Sequence, residues 1–311
     1  MRAIRVSRPG GPEALEYVEV PVPKPGSGEA LVKIEAIGVN YIDIYHRSGL
    51  YPLPVPFTPG SEAAGVVEET GERVVYAMNP GAYAEYAVVP EWKLVKIPDA
   101  IDARTAAAAM LQGLTAHYLT QSTHPLAKDE AALVHAAAGG AGALIVQMAK
   151  ARGAFVFATA STKKLDIPRA DGADVVIDYT SEDFREIVLQ RTKDAGVRVV
   201  YDSVGKTTFD KSLDCVGLRG VLALFGQSSG VVPPVDPARL AKRGIYLTRP
   251  SLAHYSSTRD ELLSRARDLF AMIENKTVHV RIAHELPLSE AGEAHRLLES
   301  RATAGKLLLI P

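Results

Sequence analysis

The sequence predicts an α/β protein in which a doubly wound, parallel sheet of about six strands is inserted into a β-rich module built from both ends of the chain. Three observations carry this. Residues 1 to about 110 are short β-type runs punctuated by Gly and Pro. From residue 131, apolar strands alternate with single helices. After Pro250 the alternation stops.

In the first stretch the runs are EALVKIEAIGV (29–39), SEAAGVVEE (61–69), RVVYAM (73–78), AYAEYAVV (82–89) and KLVKI (93–97). They are too short for helices, and the Gly and Pro between them mark turns. The Ala- and Leu-rich segment 103–120 contains no Pro and reads as one or two helices. Next come the strand 131–138, a helix over 140–153 closed by Gly153, and the strand 154–160. The strand 174–179, the helix 181–193, the strand 197–204, the helical segment 207–216 and the strands 220–226 and 244–250 follow. Strands that are continuous apolar runs between single helices indicate a parallel sheet covered on both faces. The helix over 258–276, the segment VHVRIAHELPL, the helix over 289–301 and the closing KLLLI return to the first module.

Composition narrows the function. The 311 residues carry 35 Lys and Arg against 36 Asp and Glu, a net charge of −1, which gives no electrostatic footprint for nucleic acid or an anionic membrane. A single Cys makes neither an internal disulfide nor a cysteine-based zinc site. The amino-terminal segment lacks the apolar core of a signal peptide, and no apolar run approaches ~18 residues. The expectation is a soluble cytoplasmic protein.

The segment A-A-A-G-G-A-G (136–142) follows a predicted strand and opens a predicted helix. Glycines there allow a tight turn and close approach of a pyrophosphate to free N–H groups at a positive helix end. Alone, the motif is also compatible with close packing. At the first strand–turn–helix of a six-strand alternation it points to a dinucleotide. Ala136 stands where the commoner fingerprint begins with Gly, leaving Gly139 and Gly142 as the closest-approach positions.

NAD sites usually place an acidic residue ~20 positions further on, at the ribose 2′-hydroxyl. Here the second strand ends in Thr159, Ala160 and Ser161, followed by Thr162, Lys163 and Lys164. Donors and positive charge suit a 2′-phosphate, so the expected cofactor is NADPH with Lys164 as its main cationic contact. The plainer reading, two lysines at a solvated helix start, stays open, and Asp166 nearby weighs slightly for it.

These residues belong to a longer set: GVNYIDIYHRSGLYP (38–52), PGSEAAGVV (59–67), GAYAEY (81–86), MLQGLTAHYL (110–119), HAAAGGAG (135–142), VVYDSVG (199–205), SLDCV (212–216), LFGQSSG (224–230), YLTRP (246–250) and the closing ESRATAGKLLLIP. In that set and order the chain resembles the zinc-independent, zeta-crystallin-like quinone oxidoreductases of the medium-chain dehydrogenase/reductase superfamily. The resemblance implies a GroES-like catalytic domain at 1–111 plus 249–311. A Rossmann-type dinucleotide-binding domain is then inserted at 112–248. It also implies a homodimer paired through the edge strands around GIYLTRP.

By the same resemblance, Asn40 lies beside the nicotinamide, where zinc-dependent relatives place a Cys ligand. Ser61, followed by Glu62, stands where they have a His. With both ligands replaced, no metal is expected. Thr115 and the turn residues Gly139, Gly140, Ala141 and Gly142 join the cofactor set. Ser161, Lys164, Tyr179 and Arg301 match the 2′-phosphate side, and Phe225, Gly226 and Gln227 match the loop passing the nicotinamide ribose. The segment 65–77 departs from the pattern by lacking most of a turn-containing stretch. Pro168 also falls inside the second crossover helix, which should therefore be short.

Asn40, Tyr41, Asp43, Tyr45 and Tyr51 share one helical or turn segment and are the candidates to line a substrate cleft; Asn40, Tyr45 and Tyr51 are the expected catalytic residues. For each Tyr, an interfacial core position is an equal reading. No residue has the look of an obligatory general acid. The eight His residues show no metal-type pairing and read as core or surface residues, with His135 packing on the first strand. Ser61 and Ser203 lack the strained elbow of a hydrolase. The expected activity is NADPH-dependent, metal-free reduction of a quinone. An alkenal or enone reductase, and a nucleotide-holding structural or RNA-contacting protein, are the alternatives.

Overall fold

The computed structural model describes residues 1–311, which divide into two compact units. The first comprises Met1–Leu114, Ser256–Glu274 and Val280–Pro311; the second comprises Thr115–Tyr255 and Asn275–His279. These divisions fall close to, but not at, the expected 111/112 and 248/249 boundaries. The first lies within a helix, because the apolar segment after Ile101 runs unbroken through both sides of it.

In the first unit the chain forms β1 (Arg2–Arg5), β2 (Glu16–Glu19), β3 (Glu29–Val39), α1 (Tyr41–Arg47), β4 (Glu62–Val67), β5 (Arg73–Ala77), β6 (Tyr86–Pro90), β7 (Val95–Lys96) and the start of α2 (Ala103–Tyr118). The second unit holds β8 (Ala131–Val134), α3 (Gly140–Ala151), β9 (Phe155–Ala160), α4 (Asp166–Ala170), β10 (Val175–Asp178), α5 (Phe184–Arg191), β11 (Val197–Asp202), α6 (Phe209–Cys215), β12 (Val216–Leu224), α7 (Ala238–Ala241), β13 (Tyr246–Thr248) and α8 (Leu252–Tyr255). The chain returns to the first unit with α9 (Arg259–Glu274), β14 (Ile282–Pro287), α10 (Ala291–Glu299) and β15 (Lys306–Ile310).

The second unit has the predicted sheet. Its six strands run in the order β10-β9-β8-β11-β12-β13, and every pair is parallel. The order reverses direction beside β8, so the carboxyl ends of β8 and β11 flank the crevice where such sheets take ligands. Leu133, Phe157, Ile177, Val200 and Leu222 from five strands pack with Phe184, Val188, Phe209 and Leu213 from α5 and α6. The strands differ in extent from the expected runs, β8 and β12 with a local cause. β8 ends at Val134, short of the predicted 138, because the glycine turn begins with His135 and Ala136; β12 starts at Val216, directly after α6. The second crossover is short as Pro168 requires: a single 3₁₀ turn, Thr162–Lys164, precedes the five-residue α4.

The first unit is β-rich and also holds α1, on the segment that reads in sequence as helix or turn. Asn40 caps α1 reciprocally with Asp43, a capping box that starts the helix as soon as β3 ends. Its seven-stranded sheet runs β14-β15-β3-β4-β5-β7, with β6 also on β3. β15 pairs antiparallel with β3, joining Leu307, Leu308 and Leu309 to Val39, Gly38 and Ile37, so the carboxyl-terminal strand completes the amino-terminal sheet. The shortened 65–77 segment is a tight connection: Val67 N donates to Glu72 O at 2.9 Å, and Gly71 takes φ +71°.

At Gly65 a Cβ would collide with the backbone of Lys33, where β3 bulges against β4. Overpacking of this kind costs ~1–3 kcal/mol. The only Trp, Trp92, lies in this unit. Gly65→Ala is therefore expected to lower the urea midpoint followed by tryptophan fluorescence.

Candidate functional site

The turn after β8 is built to receive an anion. Gly139 is the N-cap of α3 in extended conformation, no side chain caps the helix, and its first turn holds no acid. The first N–H groups of a helix have no intrahelical acceptor, and they face a positive dipole end. At Gly142 a Cβ would collide with the carbonyl of Ala136, so only glycine lets α3 start this close to the strand. Gly139, Gly140, Ala141 and Gly142 thus lie together on one uncapped terminus.

Beyond β9, Ser161 is the N-cap of the Thr162–Lys164 turn. Partial burial pushes the Lys164 ammonium below its ordinary value. Tyr179 follows β10, its N–H donating to Ala160 O at 3.2 Å and its side chain half exposed. Asp178, at the end of β10, accepts from the hydroxyls of Thr162 and Thr180 at 2.6 Å each, and these hold it below the usual carboxylate range. Ser161, Lys164 and Tyr179 are therefore brought to the ends of two neighbouring strands, with no acid on β9 itself.

The loop after β12 is tied to the loop after β11. Phe225 and Gly226 donate through N–H to Asp202 O at 2.9 and 3.3 Å, and Ser228 N donates to Ser203 O at 3.2 Å. Gln227 lies between them, and Gly226 is pressed against the backbone of Ser203. Thr115 is buried within α2. These residues share the second unit with the glycine turn.

Asn40, Tyr45, Tyr51 and Arg301 belong to the first unit. The Tyr45 and Tyr51 rings meet edge-on with centroids 5.1 Å apart, and Tyr41 lies 6.0 Å from Tyr45. Tyr51 N donates to Tyr45 O at 3.0 Å, which closes the turn after α1 on this cluster. Arg301, at φ +56°, bonds the Tyr41 hydroxyl.

Asn40 sits in a buried polar cluster that the sequence reading did not foresee. Its Nδ2 donates to Gly38 O and to Glu62 Oε2, each at 3.0 Å, and its Oδ1 accepts from Lys306 Nζ at 2.7 Å. Lys306 also pairs with Glu62 at 2.5 Å, and Glu62 accepts from Leu111 N. The Asn40 amide hydrogens are thus spent inside the protein. Next to them, Asp43 accepts from Asn40 N at 2.9 Å, Ser61 Oγ at 2.9 Å and Tyr83 OH at 3.2 Å. Burial nevertheless pushes its carboxyl up to about 6.

Tyr83 in turn meets His295 Nε2 at 3.0 Å, and Arg47 reaches His295 Nδ1 at 3.2 Å. Arg47 only donates, so Nδ1 accepts, and Nε2–H donates to Tyr83. Burial, reinforced by Arg47, pushes His295 down to about 3 and keeps it neutral. Burial and the adjacent Asp43 raise the Tyr83 phenol well above its ordinary value. A Lys at the head of an apolar strand reads as exposed in sequence, and its partner lies 244 positions away, so this cluster had no local signal. No group of three or more His, Cys, Asp or Glu side chains is placed to hold a metal ion. The neutral groups of Asn40 and Ser61 are engaged with Glu62 and Asp43.

A family model described as "Alcohol dehydrogenase GroES-like domain" matches residues 26–99, and one described as "Zinc-binding dehydrogenase" matches residues 172–309. The quinone oxidoreductase of Pseudomonas aeruginosa is 44% identical over 323 residues, covering 100% of this chain and 99% of that protein. A 2-haloacrylate reductase from Burkholderia is 40% identical, with 98% of each chain covered. Among solved structures, Escherichia coli quinone oxidoreductase complexed with NADPH superposes with a TM-score of 0.97 at 42% identity over 100% of both chains. A mycobacterial protein complexed with NADPH also gives 0.97, at 45% identity over 100% of both. The fold and these matches define a medium-chain dehydrogenase/reductase. Within that superfamily the chain belongs to the quinone oxidoreductase family.

Two outcomes follow from the buried cluster. Lys306→Met leaves Glu62 buried and unpaired, and breaking such a pair costs ~3–5 kcal/mol. Urea unfolding should show most of that loss recovered by Glu62→Gln in the same chain. Asp43 has a folded value of about 6 against 3.8 for the free group, so the unfolded state ionises first. Its contribution to stability therefore falls as pH rises from about 4 to 6, by up to ~3 kcal/mol, and is flat above. The difference in unfolding free energy between wild type and Asp43→Asn, followed across pH 4–7, checks this.

Proposed function

We propose that the chain is an NADPH-dependent quinone reductase that works without a metal. One observation carries this: the uncapped α3 terminus at the glycine turn is followed by a β9 whose end offers Ser161 and Lys164 in place of a carboxylate. Relatives named quinone oxidoreductases, and structures of relatives complexed with NADPH, support it.

In this reading Gly139, Gly140, Ala141 and Gly142 receive the diphosphate on backbone N–H groups. Ser161, Lys164, Tyr179 and Arg301 hold the 2′-phosphate, while Thr115, Phe225, Gly226 and Gln227 position the nicotinamide end. The bound dinucleotide supplies hydride. Tyr45 and Tyr51, whose rings meet edge-on, form an aromatic corner with phenol donors for a planar acceptor, and most of the rate comes from holding the reactants in register. Asn40 acts by shaping the floor, since both of its amide hydrogens are engaged with Gly38 and Glu62.

The same proposal includes the domain limits 1–111 plus 249–311 and 112–248, a cytoplasmic location, and no nucleic acid or membrane partner. It also includes a homodimer through β13. That strand is the edge of its sheet, bonded to β12 alone, and Tyr246 on it is 64% exposed. Pairing would protect an edge that otherwise recruits stray strands.

Lys164→Ala should reduce kcat/KM for NADPH about tenfold, the order of one charge-assisted contact, and leave NADH turnover near wild type. Steady-state assays with both nucleotides test this; preference for NADH, or an unaffected NADPH KM, refutes the cofactor assignment. Similarity to a 2-haloacrylate reductase supports a second reading, reduction of an activated double bond. That chemistry needs a proton delivered to carbon. Loss of enone but not quinone reduction in Tyr51→Phe would favour it.

A further inference from the structure

Ala136 opens the glycine turn with φ +50°, in the left-handed region. An L-residue there is penalised because its Cβ crowds the following carbonyl. Such a residue persists only where its surroundings over-determine it. The commoner fingerprint avoids the problem with glycine; this chain has to hold an alanine in place.

The backbone is pinned on both sides. His135 N donates to Tyr201 O at 3.1 Å, Ala137 N to Thr159 O at 2.9 Å, and Gly139 N to Ala136 O at 2.9 Å. The His135 side chain adds a second layer of fixing. Its Nδ1 lies 3.0 Å from Thr159 Oγ1, and its Nε2 lies 2.9 Å from Ser212 Oγ. Ser212 Oγ donates to Asp202 Oδ2 at 2.9 Å. With its one proton spent on Asp202, Ser212 accepts from His135 Nε2–H. Nδ1 is then bare and accepts from the Thr159 hydroxyl. A single neutral tautomer satisfies every group, and burial favours that neutral form. The ring is held edge-on against Phe184, with centroids 4.6 Å apart.

Asp202 anchors the far end. It accepts from Val204 N at 2.8 Å, Gly205 N at 3.0 Å and Thr208 Oγ1 at 2.7 Å, and its own carbonyl receives Phe225 and Gly226. One buried chain of hydrogen bonds therefore joins the glycine turn, the end of β9 and the 225–230 loop.

We propose that His135 is a positioning residue for the dinucleotide: through Thr159 and the Ser212–Asp202 pair it clamps Ala136 in the left-handed conformation that shapes the turn ahead of α3. This rests on the NADPH reading of that turn. When the clamp is lost, the turn relaxes in the empty protein, and binding has to restore the strained backbone.

Calorimetric titration of the full chain with NADPH tests it, using His135→Phe with and without Ala136→Gly. His135→Phe should weaken NADPH binding about tenfold, the order of a left-handed backbone penalty. Ala136→Gly in that background should recover most of the loss, because glycine adopts φ +50° without strain. Thr159→Val and Ser212→Ala provide the same comparison, with losses of about threefold, should His135→Phe fail to fold. A purely structural role would lower the urea midpoint while leaving the dissociation constant unchanged, which overturns the inference. So does a loss of affinity that Ala136→Gly leaves uncorrected. Wild type that takes up no NADPH would instead refute the functional reading itself.

Discussion

The buried carboxylate of Glu62 is the point on which the first unit is organised. It takes the Lys306 ammonium, the Asn40 amide and the N–H of Leu111, so β15, the end of β3 and α2 converge on one charge. A carboxylate removed from water is tolerable only with such a full complement of donors. That requirement fixes the register of the carboxyl-terminal strand against the amino-terminal sheet. It also fixes Asn40, whose backbone and side chain begin α1 and hence place the tyrosine cluster behind it.

The two units solve a common problem in a common way. Each buries a neutral histidine between a hydroxyl and a second polar partner, and each chain of hydrogen bonds ends on a carboxylate. In the first unit the order is Arg47, His295, Tyr83, Asp43; in the second it is Thr159, His135, Ser212, Asp202. Each accepts only one arrangement of protons. A fully satisfied buried network of this kind rigidifies what it touches, while a partly satisfied one is costly. The groups so fixed are loop termini: the start of α1 and the Ser61 hydroxyl in one unit, the glycine turn and the 225–230 loop in the other.

Much of this was legible in the sequence. The six-strand alternation, the glycine turn and the short second crossover all rest on local signals: apolar runs, Gly139 and Gly142, and Pro168 within its helix. The return of the last segments to the first module was legible because they break the alternation. The buried networks were not. Lys306 heads an apolar strand and looks exposed, and His135 looks like one more strand residue. What makes each informative is a partner brought close only by the fold. Asn40 reads in sequence only as a catalytic candidate beside the nicotinamide, because nothing in its neighbourhood announces Glu62 and Lys306. The segment of α1 reads as either helix or turn in sequence, and the local bond from Asn40 N to Asp43 decides it for helix.

The assembly of one unit from both ends of the polypeptide has a consequence for its biogenesis. Residues 115–255 contain all six strands of the parallel sheet in one continuous stretch, so that sheet can close on its own contacts. The β-rich unit has to wait for its closing strand, because Lys306, the ionic partner of Glu62, follows it by 244 residues. Before Lys306 is in place, burying Glu62 would strand a charge without its ionic partner, a cost that opposes compaction of the early strands until the closing strand is added.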